Sequence, residues 1–480
     1  MKSRYFIKLI ATVINALFNA FILFLVPKSI GPESFGIYNY ILNIFNQIIG
    51  VLDGGTSTAF YTKLSQRNEE KKLISFYIIF SLLIFLILFI FIIFLLLTNN
   101  VDYIFMSENI TYIIKIFFIS FLLWFARVHI KTMDAYAFTI YSETIKILYV
   151  FISLVLLISI DYLYQITLNV FLNFLIFNTL LYNIILVIAT KLKIKWEFHL
   201  KYSDIKIYIK EFFIYTHPLL MTMIIGSSVT ILDFWMLQKY AGSQEQGYYA
   251  LSFQIASMSF VLISAMTPII TREFAKSYQA NKLRRMSLLF KKYIPFFYML
   301  SSFFSIFVLY YASFFVDFFG GDEYSSAILI LSIISLYPMH QTYGQLSGAI
   351  FFSINKTKEY RNISIFFILL GVFVSILLIY FLDLGAIGLA LKIIIIQILA
   401  VNYQLYLNCK YLNISFIKLL IHQMLTPLFF FLIIKFFDTF LMIENNLLKI
   451  IVVFIFYLLI PIILFQIRRK NEYIKKIQLL

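Results

Sequence analysis

About fourteen runs of roughly 20 predominantly apolar residues divide this chain, at 7–26, 36–60, 73–97, 110–129, 138–160, 165–190, 209–237, 246–271, 289–316, 325–351, 362–382, 385–408, 416–437 and 447–467. A run of that length crosses a hydrocarbon core of about 30 Å as a helix, which rises ~1.5 Å per residue. The expected fold class is therefore an all-α polytopic membrane protein. Composition agrees: only 13% of residues are charged and 62% are hydrophobic, whereas a soluble domain carries about 25% charged residues to cover its surface.

The charges that remain fall between the runs, and their placement sets an expected topology. Lys2, Arg4 and Lys8 precede the first run, and Val26-Pro27-Lys28 is a poor cleavage site, so that run reads as a membrane helix and not a signal peptide. With the N-terminus in the cytoplasm, the clusters Lys63/Arg67/Lys71/Lys72, Lys191/Lys193/Lys195/Lys201/Lys206/Lys210, Arg272/Lys276/Lys282/Arg284/Arg285 and Arg468/Arg469/Lys470 all fall inside. Both termini are then cytoplasmic, and the acidic connections at Asp102/Glu108, Asp317/Asp322/Glu323 and Asp438/Glu444 fall outside. The net charge of +16 is accounted for by this asymmetry, which removes the argument for a nucleic-acid partner. Cys409 is the single cysteine, so neither an intrachain disulfide nor a thiolate metal site is available. The five histidines form no H-E-x-x-H pair. No cofactor is expected.

Two stretches repeat one another. Gly31-Pro-Glu-Ser-Phe-Gly36-Ile-Tyr38 and Gly242-Ser-Gln-Glu-Gln-Gly247-Tyr-Tyr249 each lie between long apolar runs, 211 positions apart. Six runs separate the helices that open them, and because six is even both copies point the same way. The expected architecture is two parallel six-helix bundles, 1–207 and 208–410, followed by two additional helices and a basic tail over 411–480.

These residues resemble the polysaccharide flippases that carry O-antigen and related lipid-linked repeat units, within the multidrug/oligosaccharidyl-lipid/polysaccharide exporter superfamily. The likeness rests on the turn from Pro27 to Tyr38, Gly50-Val-Leu-Asp-Gly-Gly55, Ile231-Leu-Asp233, the second glycine turn and Pro268-Ile-Ile-Thr-Arg272. The resemblance implies a transporter of the bacterial inner membrane that flips an undecaprenyl-diphosphate-linked oligosaccharide by alternating access. It also implies membrane lipid as surroundings and glycosyltransferases and a polysaccharide polymerase as neighbours. Two rivals stand beside it: a cation-coupled multidrug antiporter of the same superfamily, which wants a carboxylate deep in a helix, and a membrane polymerase or glycosyltransferase, which wants a sizeable extramembrane loop.

A diphosphate-linked sugar calls for a polar, cationic interior. Lys392, inside Gly385-Ala-Ile-Gly-Leu-Ala-Leu-Lys392, either contacts the diphosphate or snorkels to an interface. Lys115 and Arg127 sit near opposite ends of the fourth run, as ligand contacts or interfacial anchors. His217 precedes Pro218, which can kink a helix and leave carbonyls facing a cavity. Asp233 and Asp53 suit an ion pair or a cap as well as a ligand role. Asn39, Asn43, Asn46 and Gln47 share one helical face, as do Asn15 and Asn19, and Gln165, Asn169 and Asn173. Amides so aligned either bind sugar hydroxyls or join helices. His129-Ile-Lys-Thr-Met-Asp134 has acyltransferase spacing, but no accompanying domain supports it.

Overall fold

The computed structural model of this chain describes residues 2–460 apart from 68, 107, 197, 199, 355, 442 and 444. The side chains of 2–9, 12, 218, 219, 261–266, 268 and 269 are also outside the described set, as is the basic tail within 461–480. Among the described residues the structure is helical and contains no strand. Ten helices are long and apolar enough to cross a membrane. Two of them, α1 (Lys2–Asp53) and α8 (Tyr202–Ser257), are each bent at one glycine and so cover two of the expected runs.

The others are α3 (Lys72–Leu97), α5 (Ile110–Ala135), α6 (Thr139–Leu163), α7 (Leu168–Ile194), α10 (Leu283–Tyr310), α14 (Thr357–Ser375), α15 (Gly385–Leu412) and α16 (Phe416–Phe440). Shorter elements complete the path: α2 (Thr56–Gln66), α4 (Val101–Phe105), α9 (Val261–Gln279), α11 (Ala312–Gly320), α12 (Ala327–Ile334), α13 (Tyr337–Ser353) and α17 (Asn446–Ile460). The run expected at 325–351 is α12 and α13, and the last expected run begins with α17. The protein is a multi-pass membrane protein of about fourteen helical passages. Exposed Leu82, Leu83, Leu86, Ile90 and Phe94 along α3 show the apolar surface such a chain turns to lipid.

The chain divides into two compact units. The first comprises 1–251, 316–327 and 364–392, and the second 252–315, 328–363 and 393–480. In the first, Tyr40, Ile41, Ile44 and Phe45 of α1 pack with Ile116, Phe117 and Ile119 of α5. In the second, Tyr298 of α10, Tyr343 and Leu346 of α13 and Leu405 of α15 form one core, and Phe303, Phe430 and Tyr457 join α10, α16 and α17 in another.

The repeated glycines explain why the first unit closes. Gly31 (φ 76°) and Gly242 (φ 88°) take the left-handed region that glycine alone tolerates without cost, and each bends its helix. The second glycine of each copy serves a different end. A Cβ on Gly36 would stand 1.7 Å from the Ser243 carbonyl oxygen, and one on Gly247 would stand 2.0 Å from that of Pro32. The two hairpins thus cross backbone against backbone, a closeness that only a missing side chain permits.

Candidate functional site: a cationic cavity in the first unit

A cavity of about 360 Å³ opens between the end of α1, the start of α2 and the second half of α5. Its polar wall is Asn46, Asp53, Ser57, Arg127 and Lys131, and Trp124 supplies an aromatic side. The local sequence dictates this wall. Gly54 and Gly55 both have positive φ (51° and 83°), so α1 stops and α2 restarts at once. Asp53 is left at the joint, where its carboxylate accepts the Ser57 N–H (3.1 Å) and so caps α2.

The carboxylate is heavily solvated by the protein. It also accepts hydrogen bonds from the hydroxyls of Ser57 (3.0 Å), Thr56 (3.0 Å) and Tyr77 (2.9 Å). Lys131 Nζ donates to Ser57 Oγ at 2.7 Å, which places its charge on the cavity edge. Arg127, one turn before Lys131 on α5, makes only a long contact from Nε to the Leu123 carbonyl (3.4 Å), and among the described residues it forms no ion pair. Its side chain is exposed eight residues, about 12 Å, before the end of a membrane-spanning helix. A guanidinium turned to acyl chains there is costly, so it faces water in the cavity. Two cations against one well-bonded carboxylate leave the site net positive.

A second recess, of about 480 Å³, is lined by Ser29, Ser34, Asp161, Gln165 and Thr167, with Ser29 Oγ donating to Asp161 at 3.0 Å.

The other expected site residues are distributed as follows. Lys392 is buried and donates to the Asp233 carboxylate, which also accepts Ser375 Oγ at 2.6 Å. The two residues are therefore partners, and Lys392 carries no free charge. Ser375 immediately precedes a π-helical turn, Ile376–Phe381; such turns concentrate at functional sites. Lys115 Nζ donates to Asn169 Oδ1 (2.5 Å), which joins α5 to α7 away from the cavity. His217 is exposed with its ring 5.4 Å from that of Phe213. The Pro218 side chain lies outside the described residues, and the departure from helical dihedrals noted within α8 is at Gly242.

Of the α1 amides, Asn46 lines the cavity, Asn43 and Gln47 are half-buried, and Asn39 donates to its own helix at the Phe35 carbonyl (2.7 Å). Asn173 is exposed and Gln165 lines the second recess. Lys131, Ser57 and Tyr77 were not singled out in the sequence. The signal was present in the i, i+4 spacing of Arg127 and Lys131, which places both on one face of α5.

Outside the membrane spans, the start of α8 is tied down by charge. Arg67 meets Glu211 (2.5 Å), Lys72 meets Asp204 (3.1 Å), and Tyr208 donates to Glu70 (2.6 Å). The hydrogen bond from Lys72, helped by the Lys201 N–H, holds the Asp204 carboxyl below the usual carboxylate range. Just beyond, Phe212 packs 5.5 Å from Phe76 and 6.0 Å from Tyr77, the tyrosine that donates to Asp53.

The class that the fold and site define is a polytopic helical membrane protein with glycine-bent paired helices and a charged cavity in its first unit. The family model for polysaccharide biosynthesis proteins matches residues 3–274, and the chain belongs to that family. Solved structures share the fold. The lipid II flippase MurJ in an inward closed conformation is 15% identical with a TM-score of 0.72, over 98% of this chain and 100% of that one. A multidrug resistance MATE family transporter of the MOP superfamily, inward-facing, is 16% identical with a TM-score of 0.63, over 85% and 99%. An outward-facing MATE transporter is 16% identical with a TM-score of 0.59, over 86% and 96%. No curated protein matches the sequence.

Proposed function

We propose that this protein flips an undecaprenyl-diphosphate-linked oligosaccharide repeat unit across the bacterial inner membrane, for O-antigen, capsule or exopolysaccharide assembly. The observation that carries this reading is the surplus of Arg127 and Lys131 over Asp53 in the cavity between α1, α2 and α5. A guanidinium offers a planar fork that matches phosphate oxygens, and an ammonium one turn away adds a second charge for the neighbouring phosphate. The polyprenyl tail needs no shelter from lipid; the anion does. Alternating access by the halves 1–207 and 208–410 then presents the headgroup to each side without covalent chemistry, and 411–480 adds two flanking helices. Glycosyltransferases that build the unit and a polymerase that consumes it are the expected neighbours. MurJ, a flippase of lipid II, shares the fold, and both termini are cytoplasmic in this scheme.

A cation-coupled multidrug antiporter needs a carboxylate ready to exchange its cation. Asp53 already accepts four hydrogen bonds and Asp233 is paired with Lys392, which favours the flippase reading. The test is Arg127→Gln with Lys131→Gln in the native host. Surface polysaccharide should fall at least tenfold while lipid-linked precursor accumulates in the inner leaflet. Unchanged surface polysaccharide at equal protein level would sink the proposal.

A further inference from the structure

The second unit carries a polar stripe of a different chemistry. Along α13, Tyr337, Gln341, Gly344 and Gln345 fall on one helical face (i, i+4, i+7, i+8) and all are half-buried, whereas Pro338, Met339, His340, Thr342, Tyr343, Leu346 and Ser347 on the remaining faces are buried. Gln341 Oε1 accepts from Gln397 Nε2 of α15, and Gln345 Oε1 accepts from Thr267 Oγ1 of α9 at 3.0 Å. One amide hydrogen-bonding group of each glutamine is thereby fixed. Nε2 of Gln341, Nε2 of Gln345 and Oε1 of Gln397 make no hydrogen bond among the described residues. At the end of the stripe Tyr337 lies 5.9 Å from Phe253 of α8, centroid to centroid, and both rings are half-exposed.

Amides that serve only to join helices are enclosed by them. These are held in place by one partner each, remain half-buried, and keep two donors and an acceptor unbonded among the described residues. Facing acyl chains, unmet amide groups are costly, which favours water and not lipid beside the stripe. Gly344 keeps that face low: a Cβ there would stand 3.3 Å from Gln397 Nε2 and 3.4 Å from Gln341 Oε1, in contact with the ladder itself.

We infer that Gln341, Gln345 and Gln397, with the Tyr337/Phe253 pair, bind the glycosyl headgroup of the transported molecule. The chemistry fits a sugar and not an anion: no charge is present on the stripe, oriented amides can bracket vicinal hydroxyls with one donor and one acceptor, and a half-exposed ring offers a flat apolar surface to the C–H face of a pyranose. Position supports the assignment too. Gln345 lies eight residues before the end of α13, as Arg127 does before the end of α5, each being the fourth crossing of its half. Thr267 lies 211 positions after Thr56, the repeat offset, and Thr56 donates to Asp53 at the cationic cavity. The same place in the two halves is therefore furnished once with charge and once with amides.

This inference rests on the flippase reading, and the experiment separates the two. Full-length protein in nanodiscs is titrated with undecaprenyl diphosphate, with the same lipid carrying the host's own repeat-unit oligosaccharide, and with that oligosaccharide free. The expected result is that Gln341→Met with Gln397→Met weakens binding of the sugar-bearing lipid about tenfold, as loss of one or two net hydrogen bonds implies. Binding of the bare diphosphate lipid stays within twofold. Tyr337→Ala weakens the same arm and Tyr337→Phe does not. Free oligosaccharide should bind measurably but weakly, and lose that binding in the variants. Equal effects on both lipids, or no effect on either, would overturn the glutamine assignment. Failure of the wild-type protein to bind bare diphosphate lipid would instead strike the flippase reading. Unchanged thermal unfolding of the methionine variants excludes a packing defect; a lowered midpoint with unaltered affinity of the folded fraction counts against the inference.

Discussion

The two glycine-bent helices use the same backbone and carry opposite equipment. In α1 and in α8 a glycine with positive φ makes the bend, and a second glycine five residues on makes the close crossing. Beyond the bend α1 leads to Asp53 and the cations of α5, whereas α8 leads through Thr267 to the neutral amides of α13. Ahead of the bend the halves differ again: α8 holds Asp233, buried against Lys392, while Ile22 stands 211 positions earlier on α1. The difference teaches that the repeat conserves geometry where main chains touch and leaves side-chain chemistry free everywhere else.

The strongest way to break this comparison is at what the copies share. Gly36→Val and Gly247→Val each drive a side chain into a carbonyl, with more strain than the ~1–3 kcal/mol of ordinary overpacking. Both should abolish folded protein in detergent, read by monodispersity on size exclusion. If either variant folds with native stability, the backbone crossing is not the joint described here.

Next comes what only one copy has. Lys392→Met strands the Asp233 carboxylate in an apolar setting and should cost about 3–5 kcal/mol of stability. Adding Asp233→Asn should restore most of it. Thermal unfolding of the single and double variants checks this, and an additive loss in the double would show the pair to be uncoupled.

The smallest effect lies at the charged foot of α8. Because the folded carboxyl of Asp204 sits below its unfolded value, its contribution to stability is present above the unfolded pKa of about 3.9 and is lost as pH falls through the lower, folded pKa. Asp204 is half-buried beside exposed Lys72, and such a pair contributes little, so Asp204→Asn should lower stability at neutral pH only slightly. It should flatten the acid limb of a pH–stability profile by the same small amount; an identical acid limb in variant and wild type would remove the interaction with Lys72.

Most of the fold was legible because it follows from one physical demand, burial of long uncharged runs in lipid. The glycine repeat was legible for the same kind of reason, since only glycine suits a left-handed bend or a backbone crossing. The site was harder to read. Lys392 and Asp233 lie 159 residues apart, and nothing local announces that one neutralises the other. Arg127 stood out as a charge in a run, while Lys131 was lost among the basic residues at the run's end. Gln341, Gln345 and Gln397 are uncharged and common, and they stand out only when α13 and α15 bring them together.

A joint made by leaving side chains out places almost no restriction on the residues around it. Lining positions such as Arg127 and Gln341 can be exchanged without disturbing how the rods are hinged. An engineer wishing to give this scaffold a new cavity would therefore leave the four glycines alone and repaint the walls.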